Sequence, residues 1–262
     1  MTRLGVAAPR GSYRSRMLRT LNKAVMIASA LTLLVAFWNR NDLPGAIDFS
    51  PRLKDEPRQR PLDKPTPVTV RYAGVEYRVE PQYSYELYGL VVSYRQHDGE
   101  DSMHRWSNDH LNVADVCVVW SDTAFSPTLS RLDFWNGIFT CNVQTRDSVA
   151  WSNFKMNQLS NNHLISADPF IRDRVADVRI GDQIRIKGEL ARYGAVGGSG
   201  LRGTSTTRDD TGDGACETIL VDEFDIVVPG FSGWRAAMWT SLAVLLAALV
   251  VHFMMPYRPY RD

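Results

Sequence analysis

Two uninterrupted apolar runs stand near the ends of the 262-residue chain, and between them the apolar positions alternate with polar ones. The first run, Ala24–Trp38, holds 15 residues without a charge, and the second, Ala236–Met255, holds 20. A bilayer core about 30 Å thick takes roughly 20 residues of helix. The second run meets that length unaided, with Trp234 and Tyr257 at its margins as interfacial aromatics. The first reaches it once Leu18–Lys23 is included, with the Lys23 ammonium extending toward the headgroups. Membrane-spanning helices are therefore expected over 21–38 and 235–256. A cleaved secretory leader is the competing reading of the first run, but Phe37-Trp38-Asn39-Arg40 offers no small-x-small cleavage site.

The intervening chain changes character twice. Residues 39–67 carry Pro44, Pro51, Pro57, Pro61, Pro65 and Pro67 among charges, with little apolar pattern, and read as an extended tether. The distal linker, 229–234, is much shorter. Residues 68–228 read as one β-rich domain. Val68, Val70 and Tyr72 alternate with polar residues, Ala73-Gly74 makes a two-residue turn, and Val75, Tyr77 and Val79 resume the alternation, which predicts a hairpin. Further strands are predicted at Tyr85–Tyr94, Val116–Trp120, Phe134–Val143, Ile184–Tyr193 and Thr218–Val228. A helix is predicted at Asp168–Val175, with Asp168 as cap and Pro169 at the first helical position, and a weaker one at Ser148–Leu159.

Three features of this series resemble an OB-fold. They are Gly89 in the first long strand, the turn Gly181-Asp182 feeding Gln183–Leu190, and a final acidic-apolar strand. Glycines in such small barrels permit the bending that closure needs. The resemblance covers roughly residues 83–228. It implies a mainly β fold, a small OB-like β-barrel with one or two short helices, flanked by two transmembrane helices. Another barrel or a sandwich is the alternative. OB-like barrels bind oligonucleotides, sugars and proteins, so the fold alone names no ligand.

Charge adds orientation. The net charge is +1, but residues 1–23 hold Arg3, Arg10, Arg14, Arg16, Arg19 and Lys23 with no acid, and the tail holds Arg258 and Arg261 against Asp262. Without those eight bases and one acid the rest of the chain is net −6. Basic flanks mark the cytoplasmic side. Tails 1–20 and 257–262 are thus expected in the cytoplasm of a plasma (inner) membrane protein, with the central domain extracytoplasmic, periplasmic in a bacterium. An acidic domain outside the cytoplasm argues against nucleic acid as partner, because phosphate binding needs clustered Lys and Arg.

An oxidising compartment makes one disulfide among Cys117, Cys141 and Cys216 the expectation. Cys141 and Cys216 stand at predicted strand ends and are the expected pair, with Cys117 a buried thiol in an apolar strand. No CxxC or HxxxH spacing indicates zinc. The densest chemistry lies in Gly194–Glu217, a glycine-rich connection carrying Arg202, Arg208, Asp209, Asp210, Asp213 and Glu217. Long loops often carry function, although a glycine-rich hairpin loop is the plainer reading. Asp209, Asp210 and Asp213 suggest a calcium or magnesium loop, yet Thr211 and Leu220 occupy positions where an EF-hand needs ligands, and no cofactor is expected. A second polar cluster is Ser160-Asn161-Asn162-His163. Were the two to converge, His163, Arg208, Asp210 and Glu217 would supply an acid, a base and an anion clamp. His97, His104 and His110 read as solvated loop residues, and His252 lies in the second span. No nucleophile elbow, HExxH, Walker loop or dinucleotide fingerprint occurs. The expectation is a membrane-anchored, non-enzymatic binding or assembly module with a protein partner. An extracytoplasmic metal-dependent hydrolase and a sensor or transporter accessory subunit are the alternatives.

Overall fold

The computed structural model describes residues 11–43, 48–97, 108–137, 139–198, 200–208, 210 and 216–255. They fall into two compact units, one combining 1–42 with 232–262 and the other spanning Leu43–Phe231.

The described part of the first unit is two helices, Gly11–Trp38 and Gly233–Met254. Both are long and apolar enough to cross a membrane, over Arg16–Trp38 and Gly233–Met254. Ser232 caps the second, accepting from the Arg235 amide. The helices pack together. Small residues, Ser29, Ala36, Ser241 and Ala248, are buried, and Asn22 donates to the Ala248 carbonyl at 3.0 Å. Leu34, Leu246 and Phe253 are exposed. Small residues at the contact and large apolar ones outside it are compatible with helices that cross a membrane.

The second unit is sheet-rich. Its strands are β1 (Arg58–Pro61), β2 (Val68–Tyr72), β3 (Val75–Gln96), β4 (Asn112–Val119), β5 (Asp133–Asn136), β6 (Cys141–Gln144), β7 (Leu159–Ile165), β8 (Gln183–Ala195) and β9 (Glu217–Val228). β3 pairs with β4, β4 with β7, β7 with β9, β9 with β8, and β8 with β3 again, so the order of pairing returns to its first strand. Among the described residues, β7 and β9 are the one pair that runs parallel. β1 and β2 add to the first half of β3, while β5 and β6 form a separate hairpin. Helix Pro169–Ala176 lies between β7 and β8 in the chain.

Alternation along these strands separates two apolar faces. Tyr85, Leu87, Val116, Val118, Leu164, Ile184, Ile186 and Ile219 belong to one buried cluster. Cys117 and Val119 point the other way, into a second cluster with Leu90, Val92 and residues of the segment 121–158. All eight residues of β4 are consequently buried. Two glycines let strands approach. A Cβ on Gly89 would stand 2.7 Å from Val118 Cβ, and one on Gly188 would stand 2.1 Å from the Leu220 carbonyl oxygen.

The predicted hairpin is present, with Tyr72 opposite Val75 and the turn residues Ala73 and Gly74 both at positive φ. Asp168 caps its helix as expected, accepting from the Phe170 amide at 2.8 Å. Other expectations change. The strand predicted at Phe134–Val143 is two, because the chain turns back after Asn136. The helix predicted over Ser148–Leu159 stops at Asn153, and Met156–Gln158 forms a 3-10 turn instead. The proline-rich stretch read as a tether contributes β1, which pairs Arg58 with Glu86 and Pro61 with Tyr83 at a sheet edge, where proline is tolerated. The disulfide joins Cys117 to Cys141 at a Cα separation of 5.8 Å. That corrects the expected Cys141–Cys216 pair: the β5–β6 hairpin lays Cys141 over β4, and Cys216 keeps its thiol.

Candidate functional site

β7, like β1, is a strand that sequence patterning missed, and it organises the site. Its polar run Ser160–His163 lies between β4 and β9, with His163 opposite Asp115 on one side and Thr218 on the other. His163 is 1% exposed and Asp115 is fully buried. His163 Nδ1 lies 2.5 Å from Asp115 Oδ1, and Arg202 Nη2 lies 2.9 Å from His163 Nε2. Because a guanidinium only donates, His163 accepts at Nε2 and carries its proton on Nδ1, which donates to Asp115. His97 Nε2 approaches the other Asp115 oxygen at 3.2 Å. Burial opposes ionisation of Asp115, but the hydrogen bonds from His163 and His97 outweigh it and hold the carboxyl well below the usual range. Burial, helped by Arg202, lowers the His163 imidazole despite Asp115. The neutral tautomer is thus the one the site favours.

Arg202 reaches this position from the β8–β9 connection, where it bridges Tyr193 through backbone hydrogen bonds of 2.7 and 3.1 Å. Its guanidinium lies over the Phe139 ring, 3.9 Å from the centroid. Arg202 Nη1 stands 3.8 Å from Asp109 Oδ2, and Tyr193 Oη donates to Asp109 at 2.7 and 2.9 Å. Tyr77, Asp109, Phe139, Tyr193 and Arg202 line a cavity of about 460 Å³ whose rim includes Gly194, Gly198 and Gly200. Two segments beside it are held in the left-handed backbone region, Asn108 at φ 51° and Phe139 at φ 59°. For a bulky residue such as Phe139 this conformation costs about 1–2 kcal/mol, and strain of this kind collects at working sites.

The two polar clusters singled out in the sequence converge, through His163 with Arg202, Asn161 with Cys216, and the pairing of Asn162 with Glu217 across β7 and β9. His163 meets Arg202, whereas Arg208 donates to Glu217 at 2.6 Å and to Gln59 at 3.3 Å. Asp210 accepts from Ser205 Oγ at 2.6 Å. Arg208 and Glu217 thus pair with each other, while Asp210 engages Ser205 and His163 engages Asp115 and Arg202. Glu217 is 3% exposed, and burial pushes its carboxyl up to about 8 against the opposing Arg208 charge. Asn162 is spent on Val116 O and Ser160 Oγ, and Asn161 steadies the Phe139 carbonyl at 3.1 Å and Cys216 Sγ at 3.5 Å. Burial raises the Cys216 thiol. Asp209 and Asp213 lie outside the described residues, among which no cluster of His, Cys, Asp or Glu is placed to hold a metal ion.

Sequence reasoning passed over Asp109, Asp115, Phe139 and Tyr193, and it placed His97 in solvent although it is 3% exposed. One signal was available. Asp115 is the single charge within Val113–Trp120, and a carboxylate inside an apolar strand needs buried partners. Comparison with protein-family models, with curated protein sequences and with solved structures finds no match.

Proposed function

We propose that the chain is a two-span membrane protein whose β-rich unit stands outside the cytoplasm and serves, without catalysis, as a binding or assembly module. The cavity at Arg202 is its recognition site. The cyclic pairing order, with a helix between β7 and β8, supports an OB-like barrel in which β3, β4, β7, β8 and β9 are the five strands in sequence. In barrels of that kind the connections between strands one and two and between four and five flank the ligand. Here those connections are 97–111 and 196–216, and they supply Asp109 and Arg202. Their meeting in one cavity is the observation that carries the reading.

Two measurements test it. A reporter active only outside the cytoplasm should be silent when fused after Asp262 and active when inserted near Gly99; an active C-terminal fusion would sink the two-span orientation. A photo-reactive side chain at Leu201, which also lines the cavity, should form a defined adduct in intact membranes. Arg202→Met should abolish that adduct while the protein stays folded by thermal melting. An adduct of equal yield in the folded variant would remove Arg202 from recognition.

A further inference from the structure

We infer that the Arg202–Asp109 cavity takes a neutral, polyhydroxylated ring, a sugar unit of an uncharged oligosaccharide. The inference rests on the proposal that this cavity is the recognition site, and it names the ligand class.

A gap separates the two charged groups. At 3.8 Å, Arg202 Nη1 and Asp109 Oδ2 are an ion pair but not hydrogen-bonded. Among the described residues the guanidinium hydrogen-bonds to the neutral His163 nitrogen and to Tyr193 Oη, and with five N–H donors it keeps others for a ligand. The Asp109 oxygens receive Tyr193 Oη and retain further lone pairs. A group entering between them has to accept from nitrogen and donate to oxygen at once. A hydroxyl does both. A carboxylate or phosphate accepts from Arg202 but is repelled by Asp109, and an ammonium donates to Asp109 but is repelled by Arg202.

Charge on the larger scale agrees. The pair cancels locally, and the chain between its basic ends is net −6, so acidic polymers gain nothing from the surroundings. Size agrees as well, since about 460 Å³ falls within the roughly 300–1,000 Å³ of small-molecule sites. Gly194, Gly198 and Gly200 also line the cavity, and the side-chain position of Gly200 faces open space, which leaves its main chain approachable by a ring.

The donor and the acceptor are also fixed before any ligand arrives. Phe139 sets the guanidinium plane from one side, and the His163–Asp115–His97 chain holds it from behind. Tyr193 holds the carboxylate. Preorganisation of this kind lowers the ordering cost of binding a ligand whose individual hydrogen bonds are weak.

The test uses the full chain in lipid nanodiscs free of glycosidic detergent, titrated calorimetrically with chitotetraose, cellotetraose, maltotetraose and the acidic trigalacturonate. At least one neutral sugar should bind saturably and more tightly than the acidic one. Asp109→Asn, which keeps the shape and the Tyr193 acceptor, should weaken neutral binding about tenfold or more, the worth of a hydrogen bond to a charged group. The same change should strengthen trigalacturonate binding by leaving Arg202 uncompensated. Leu201→Trp should reduce both by filling the space. Three results overturn the inference: no neutral sugar binding at millimolar concentration, preference of the unaltered chain for trigalacturonate, or neutral binding undiminished in both variants. If all sugars fail while the Leu201 photo-adduct proves to be a peptide lost in Arg202→Met, the recognition site stands and the sugar falls. If the adduct is also indifferent to Arg202, both readings fall.

Discussion

Gly188→Ala is expected to destabilise the β-rich unit by at least about 3 kcal/mol, lowering its melting temperature by roughly 6–12 °C. The added methyl would stand 2.1 Å from the Leu220 carbonyl oxygen and 3.1 Å from Val221 Cα. Both are backbone, so no side-chain rotation relieves the clash. Relief requires β8 and β9 to separate at the register shift between Lys187 and Gly188, breaking ladder hydrogen bonds on either side. Thermal melting of the full chain in nanodiscs measures it. A midpoint within about 2 °C of the unaltered protein would show that the two strands part there at little cost.

The second large effect is a stability that falls as pH rises, traced to Glu217. Its carboxyl is pushed up to about 8 in the folded chain, from an ordinary value of 4.5. Below 4.5 the group is protonated in both states and its contribution is fully present. Between 4.5 and 8 the unfolded chain releases the proton and the folded one keeps it, so stability is lost by about 1.4 kcal/mol per pH unit. Above 8 both states are ionised and the loss levels off. Glu217→Gln mimics the protonated form and should flatten that slope, which denaturant unfolding at several pH values reads directly. Parallel curves for the two proteins would refute the assignment. Asp115 acts with the opposite sign, because its lowered carboxyl loses stability only as pH falls below the usual carboxylate range. The two windows do not overlap.

What the sequence revealed was what local pattern encodes. The two apolar helices follow from run length, the Ala73-Gly74 hairpin from period-two alternation, and the Asp168-Pro169 helix start from cap chemistry. β7 escaped because both of its faces are polar in the half that matters. Asn162 faces inward to Val116 O and Ser160 Oγ, while His163 faces Asp115 and Arg202, so no alternation appears. The disulfide escaped for a related reason. Cys117 and Cys141 meet only because the β5–β6 hairpin folds back on β4, a tertiary fact that no spacing reports. At the site, His163 and Arg202 were each visible as polar residues in suspicious places. Their pairing, and the part played by Asp109, depended on strand order. Arg208 and Glu217, which looked like loop chemistry, instead form a pair of a half-buried guanidinium and a buried carboxyl under Tyr85 and Trp120, with ring centroids 5.2 and 5.9 Å from the guanidinium.

The place of β9 bears on how the unit assembles. It is the last strand in the chain yet sits between β7 and β8, parallel to one and antiparallel to the other. During synthesis, β3, β4, β7 and β8 are complete while β7 and β8 still present bare hydrogen-bonding edges. Unpaired edges invite pairing with other chains. Folding therefore carries a waiting period that ends only when residues 217–228 arrive, immediately ahead of the second apolar helix. A chain interrupted before Glu217 lacks the strand that covers both edges, the condition that invites pairing with other chains. The pairing of β3 with β8 also joins distant parts of the chain, and non-local contacts of this kind slow folding because the loop between them must be closed first.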